Sequence, residues 1–145
     1  MIKQFEKLGT QEQELLLQAP ALISVLASCS LNEIDPARKA AAVKLAHLRT
    51  YQAFPELLPY FAEVEKRFNE QFEDAARKYT PFDEPQRNAL KKELDKVNAV
   101  IGKLDEKYAS TLYKSLDKYA KFVAKATHSV FEDFVFPIPV RGLTD

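Results

Sequence analysis

Leu57, Phe61, Val64, Phe68, Phe72, Ala75 and Tyr79 recur at spacings of four, three, four, four, three and four. Seven apolar residues in that rhythm lie on one face of an α-helix and on both faces of a strand, so the segment can bury them only as a helix. The aromatic members are large, which predicts a helix packed centrally in whatever surrounds it. The rest of the chain is punctuated in keeping: three glycines against eight prolines, with the prolines mostly where a helix would begin or end.

Thr10, with Gln13 three residues on, predicts a capping box for a first helix over about 11–28. Leu15, Ala19, Leu22, Leu26 and Cys29 draw one apolar stripe along it, and Pro20 removes a hydrogen bond midway, which predicts a bend. Asp35-Pro36 pairs a capping carboxylate with a proline at the first turn and opens a second helix over about 36–52, with Ala41, Leu45 and Leu48 inward. The break at Phe54-Pro55 leads into the third, about 56–79. Asp83 caps a fourth over about 84–101, whose Leu90, Leu94, Val97 and Ile101 point inward. Asp105 starts the fifth, about 106–135, carrying Tyr108, Leu112, Leu116, Ala120, Val123, Thr127, Val130 and Phe134 inward.

Phe136-Pro137-Ile138-Pro139-Val140 cannot continue that helix, because its alternating prolines impose an extended course. The expected fold is therefore all-α: one domain over 1–145, a bundle of about five helices. The third and fifth should lie side by side at its centre, with the extended proline-containing strip across its surface. At 145 residues the chain suits one core of ordinary size, and no linker divides it.

Twenty-one basic side chains balance twenty-one acidic ones, so no overall field selects a nucleic acid or an anionic membrane, and specific nucleic-acid binding is not expected. No apolar run approaches the roughly 20 residues that span a bilayer, and no export signal is recognisable, so the cytoplasm is the default compartment. Cys29 alone cannot form an internal disulfide and reads as a core residue. Only His47 and His128 are present. They cannot build a zinc site, and each has a lysine three residues before it, which excludes the Glu-x-x-His pattern of di-iron bundles. His47 reads as a surface or half-buried residue, and His128 as a group the end of a long helix would keep protonated. Glycine-rich phosphate loops are missing, no acid, base and nucleophile converge, and no cofactor is expected.

Two charged stripes stand out. Lys107, Lys114, Lys118, Lys121 and Lys125 share a face of the fifth helix, able to meet phosphates but expected to be a solvated face partly neutralised by a neighbouring helix. Glu56, Glu63, Glu70 and Asp74 form an acidic stripe on the third, with Lys66, Arg67, Arg77 and Lys78 at hand.

Leu31-Asn32-Glu33-Ile34-Asp35 is echoed by Ile101-Gly102-Lys103-Leu104-Asp105: an apolar residue, one that tolerates a left-handed backbone, a charge, an aliphatic residue and a capping aspartate. These junctions, with Pro36-Ala37-Arg38 after the first and Glu106 after the second, resemble those of tellurite-resistance TerB-like proteins. The resemblance covers about 30 residues and implies a helical fold. The family's junction acids are associated with metal. Here Leu31 and Ile101 stand where its aspartates would, Asn32 where it has a glycine, and Ala37 or Arg38 where its helix offers glutamate, so Asp35, Asp105 and Glu106 are the ligands left to consider and no metal site is expected. The leading expectation is a non-catalytic protein-interaction module. It would bind a protein partner or a second copy through a helix face such as Lys114, Lys118, Lys121 and Lys125, or through Phe136, Ile138 and Val140. The alternative is a degenerate TerB-like stress-response module with weak metal or membrane-surface contact.

Overall fold

The computed structural model describes residues 2–28, 44, 47, 50, 52–79 and 83–126, with side chains to 26 in the first stretch and to 123 in the last. Four α-helices have both ends within those residues: α1 (Thr10–Ser28), α2 (Leu58–Lys78), α3 (Glu84–Ile101) and α4 (Glu106–Ala126). Short 3-10 turns at Lys3–Phe5 and Pro55–Leu57 precede α1 and α2. The all-α bundle is as expected, although four helices rather than five are delimited among the described residues. Of the helix expected over 36–52, only Lys44, His47, Thr50 and Gln52 are described, all helical, as is Ala53 just beyond. Cys29, the Leu31–Asp35 junction, residues 127–135 and the Phe136–Val140 strip lie outside the described residues.

The centre of the bundle is α1, which packs against α2, α3 and α4. That corrects the expectation of a core built on the third and fifth expected helices, which are α2 and α4. From Leu15 to Ser28 the chain carries no charge, and every residue from Ala19 to Leu26 is buried. A helix apolar on all sides is stable only when surrounded. The single stripe expected for α1 was too narrow, because Leu16, Ile23 and Val25 are as fully buried as Ala19. By contrast α2 and α4 are one-faced. Phe61, Val64, Phe68 and Ala75 of α2, and Leu112, Leu116, Ala120 and Val123 of α4, turn inward as their spacing predicted, and so do Leu90, Leu94, Val97 and Ile101 of α3.

Pro20 stands inside α1, and the helix runs through it. Its ring has no N–H, so the carbonyl of Leu16 loses its helical donor. The Tyr60 hydroxyl from α2 takes that place and donates to the Leu16 oxygen at 2.5 Å. One turn on, the Ser24 hydroxyl donates to the Pro20 carbonyl at 2.7 Å and lies 2.5 Å from the Tyr119 hydroxyl of α4. With its proton committed to Pro20, Ser24 is the acceptor for Tyr119. The proline thus sits where two neighbouring helices tie onto α1.

Side chains cap the starts of α1, α3 and α4, whereas α2 begins from Leu57 with no side-chain cap. Asp83 accepts the Gln86 N–H at 3.1 Å and Asp105 accepts that of Tyr108 at 3.4 Å, as expected. At α1 the expected Thr10 and Gln13 box gives way to one a residue earlier. The Glu12 carboxylate reaches back to the Gly9 N–H at 3.1 Å, and the Gln13 amide bridges the carbonyls of Phe5 and Leu8, each at 3.0 Å. A carboxylate one turn into the helix is the stronger acceptor for that N–H. Gly102 is also corrected: its φ of −63° is ordinary right-handed backbone, so the junction does not call on glycine's freedom.

Candidate functional site

An open cleft of about 730 Å³ lies between the N-terminal 3-10 turn and the start of α4. Lys3, Lys7, Lys103 and Lys107 face it, with Glu56 and Asp105 among the carboxylates. It forms because the Asp105 cap fixes the first turn of α4 while Phe5, buried under that turn, sets its ring edge-on to both Tyr60 and Tyr108, at centroid distances of 6.1 Å. Two of its members are already committed. Lys103 is ion-paired with Glu12 of α1, and this pairing, with the Gly9 hydrogen bond, holds the Glu12 carboxyl below its ordinary range. Asp105 is engaged as a cap. Burial pushes the Tyr108 phenol up to about 12, so it stays protonated at neutral pH and cannot act as a base.

Asp105 and Glu106 are both exposed, Asp35 lies outside the described residues, and among the described residues no three metal-ligating side chains gather. Lys114, Lys118 and Lys121 stand exposed on one face of α4 as their spacing predicted. Among the described residues no carboxylate of a neighbouring helix is at ion-pair distance from these three lysines. Lys121 pairs at 2.9 Å with Asp117 of its own helix, and neither Lys114 nor Lys118 has a carboxylate at ion-pair distance among the described residues. The side chain of Lys125 is outside them, as are Phe136, Ile138 and Val140. Two members of the acidic stripe, Glu63 and Asp74, pair within α2. Glu63 meets Lys66 at 2.8 Å and Asp74 meets Arg77, whereas Arg67 crosses to Glu14 of α1 at 2.8 Å.

A second surface feature escaped the sequence reading. Pro55, Leu58, Pro59 and Ala62 are all exposed, and their spacing puts them on one helical face. Leu58 is 54% exposed, the one large hydrophobic so exposed among the described residues. The signal was present in the sequence as a second apolar series beside Leu57 and Phe61, but the stronger series drew the core and left this one without a place.

His47 was expected at or near the surface and is instead buried, 6% exposed. Its ring stands edge-on to Phe68 at 4.3 Å and to Tyr119 at 5.1 Å between centroids. Loss of hydration there holds its imidazole down at about 4, against a weaker opposing pull from Glu65. Sequence alone could not separate this from a surface histidine, because the residues flanking His47 fit either placement.

Among the described residues no helix is long and apolar enough to cross a membrane. The chain matches no protein-family model, no curated protein and no solved structure.

Proposed function

We propose that this chain is a non-catalytic helical interaction module whose binding face is the strip Pro55, Leu58, Pro59 and Ala62. The exposure of Leu58 carries this reading: an apolar side chain is held in water on a bundle that buries or half-buries its other large hydrophobics among the described residues. Two prolines fix the backbone around it, so docking would cost little ordering entropy. The surroundings of the cleft tyrosine and the core histidine support a binding role over a chemical one, since burial moves both groups away from the values a neutral-pH base would have. The test is a photo-crosslinker, Leu58→p-benzoylphenylalanine, in the full chain and in the cells that make it, with the same group at exposed Gln11 as control. An adduct at position 58 and none at position 11 is expected, and twice the chain mass would identify a second copy as partner. No adduct at position 58, or equal adducts at both positions, overturns the proposal.

A second reading has one observation in its favour. Lys114 and Lys118 present two charges without carboxylate partners among the described residues, on a helix face that anionic headgroups could meet, as the alternative of a degenerate TerB-like stress-response module would use. Cosedimentation with phosphatidylserine vesicles, lost in Lys114→Glu/Lys118→Glu and absent with phosphatidylcholine, would support it. The metal contact belonging to that alternative rests on Asp105 and Glu106, and a calcium titration followed by the Tyr108 amide resonance tests it.

A further inference from the structure

The cleft beside the start of α4 keeps charges of both signs unpaired. With Lys103 held by Glu12 and Asp105 engaged as a cap, the charged groups left lining it are Lys3, Glu6 and Lys7 of the N-terminal turn, Glu56 of the turn before α2, and Lys107 of α4. All five are exposed. None has a partner of opposite charge at ion-pair distance among the described residues, although Lys7 follows Glu6 directly. Exposed pairs between neighbours gain little over hydration, so both sets of charge stay available. Three ammoniums around one hollow suit a phosphate, with nearly two negative charges on three oxygens, better than a carboxylate. The start of α4 adds the positive end of its dipole. Two carboxylates suit an ammonium with its three N–H donors. Leu104 and Tyr108, which also line the cleft, offer apolar surface to a short carbon linker, and the Tyr108 phenol, protonated at neutral pH, is a further donor. The volume of about 730 Å³ lies within the range of small-molecule sites, roughly 300–1,000 Å³.

We propose that the cleft binds a small molecule carrying a phosphate and a primary ammonium a few bonds apart, of the phosphoethanolamine kind: Lys3, Lys7 and Lys107 take the phosphate, and Glu6 and Glu56 take the ammonium. A phosphate alone would meet the two carboxylates, and an ammonium alone the three lysines. The dipolar molecule satisfies both sets at once, so the cleft selects it over inorganic phosphate and over ethanolamine. This inference is independent of the binding face at Leu58.

Titration of the full chain with O-phosphoethanolamine, inorganic phosphate and ethanolamine, followed by the amide resonances of Leu8 and Tyr108 on opposite walls of the cleft, tests the site. Phosphoethanolamine should saturate both resonances at a concentration about tenfold below that needed for either half alone. Lys3→Gln/Lys7→Gln/Lys107→Gln should abolish the response. Glu6→Gln/Glu56→Gln should keep phosphate binding and lose the preference for phosphoethanolamine. All five positions are exposed, so both variants should fold as the wild type does. A phosphatidylethanolamine headgroup presents the same chemistry. Cosedimentation with vesicles of phosphatidylethanolamine and phosphatidylcholine, displaced by free phosphoethanolamine and absent with phosphatidylcholine alone, would assign the site to a lipid, and saturation in solution without cosedimentation to a free phosphate ester. No saturable shift with phosphoethanolamine, equal affinity for it and for inorganic phosphate in the wild type, or a preference that survives Glu6→Gln/Glu56→Gln overturns the proposal.

Discussion

The Tyr60 hydroxyl donates at 2.5 Å to the carbonyl of Leu16, the acceptor that Pro20 deprives of its helical N–H. A side chain from one helix thereby completes the backbone of another, at a point where both are fully buried. Burial raises the Tyr60 phenol well above its ordinary range, so it remains a donor across the accessible pH range.

Tyr60→Phe should therefore cost more than an average hydrogen bond, because it leaves a buried carbonyl without a donor: about 1–3 kcal/mol. In a Pro20→Ala background alanine restores the N–H, and the same substitution should cost less than half as much. Urea denaturation of the four proteins forms a double-mutant cycle, and equal costs in both backgrounds would show that the two residues do not compensate each other.

Asn98 is 3% exposed, and neither polar atom of its side chain has a hydrogen-bond partner among the described residues. Removing an unsatisfied buried amide while keeping the volume relieves its desolvation, so Asn98→Leu should stabilise the fold by about 1–2 kcal/mol. A lower urea midpoint would show that the amide holds a buried water.

The global stability should also depend on His47. Its folded value, about 4, lies below the free value of 6.5, so the unfolded chain binds more protons than the folded one in that interval. The stability is fully present above pH 6.5 and is lost as the pH falls towards 4, by about 3 kcal/mol in total. Urea midpoints measured from pH 7.5 to pH 4.5 should fall in the wild type, with a shallower slope in His47→Phe. Parallel slopes would assign the loss to other groups.

Leu58→Glu should leave the unfolding free energy within about 0.5 kcal/mol of the wild type, as for an exposed site, while abolishing the crosslink formed by p-benzoylphenylalanine placed at exposed Ala62 on the same face. A loss of several times that size would mean that Leu58 packs within the fold.

Much of the bundle was legible in the sequence because α2, α3 and α4 each have one wet face, and a one-faced helix writes its orientation in its spacing. Asp83 and Asp105 were legible as caps for a similar reason: their oxygens act on a backbone three residues away, within reach of a local reading. The place of α1 was not, because a helix buried on all sides has no periodicity to read, and a stripe drawn through Leu15 and Ala19 looks as good as any other. Nor could sequence show that Tyr60 answers Pro20, since the hydrogen bond that does so joins Tyr60 to Leu16, 44 residues away. The exposure of Lys114, Lys118 and Lys121 on one face of α4 was legible in their spacing, whereas the strip around Leu58 was not, because a second apolar series beside Leu57 and Phe61 is overshadowed by the one that forms the core.

The uncharged stretch of α1 has a further consequence during synthesis. It leaves the ribosome before any of the helices that will cover it, and Tyr119, which ties α4 to it, follows Ser24 by 95 residues. Until then the nascent chain carries an apolar rod with no partner to enclose it, the form in which new polypeptides associate wrongly or engage chaperones. The hub that makes the finished bundle cohesive is therefore also the segment most exposed to misassembly while the chain is being made.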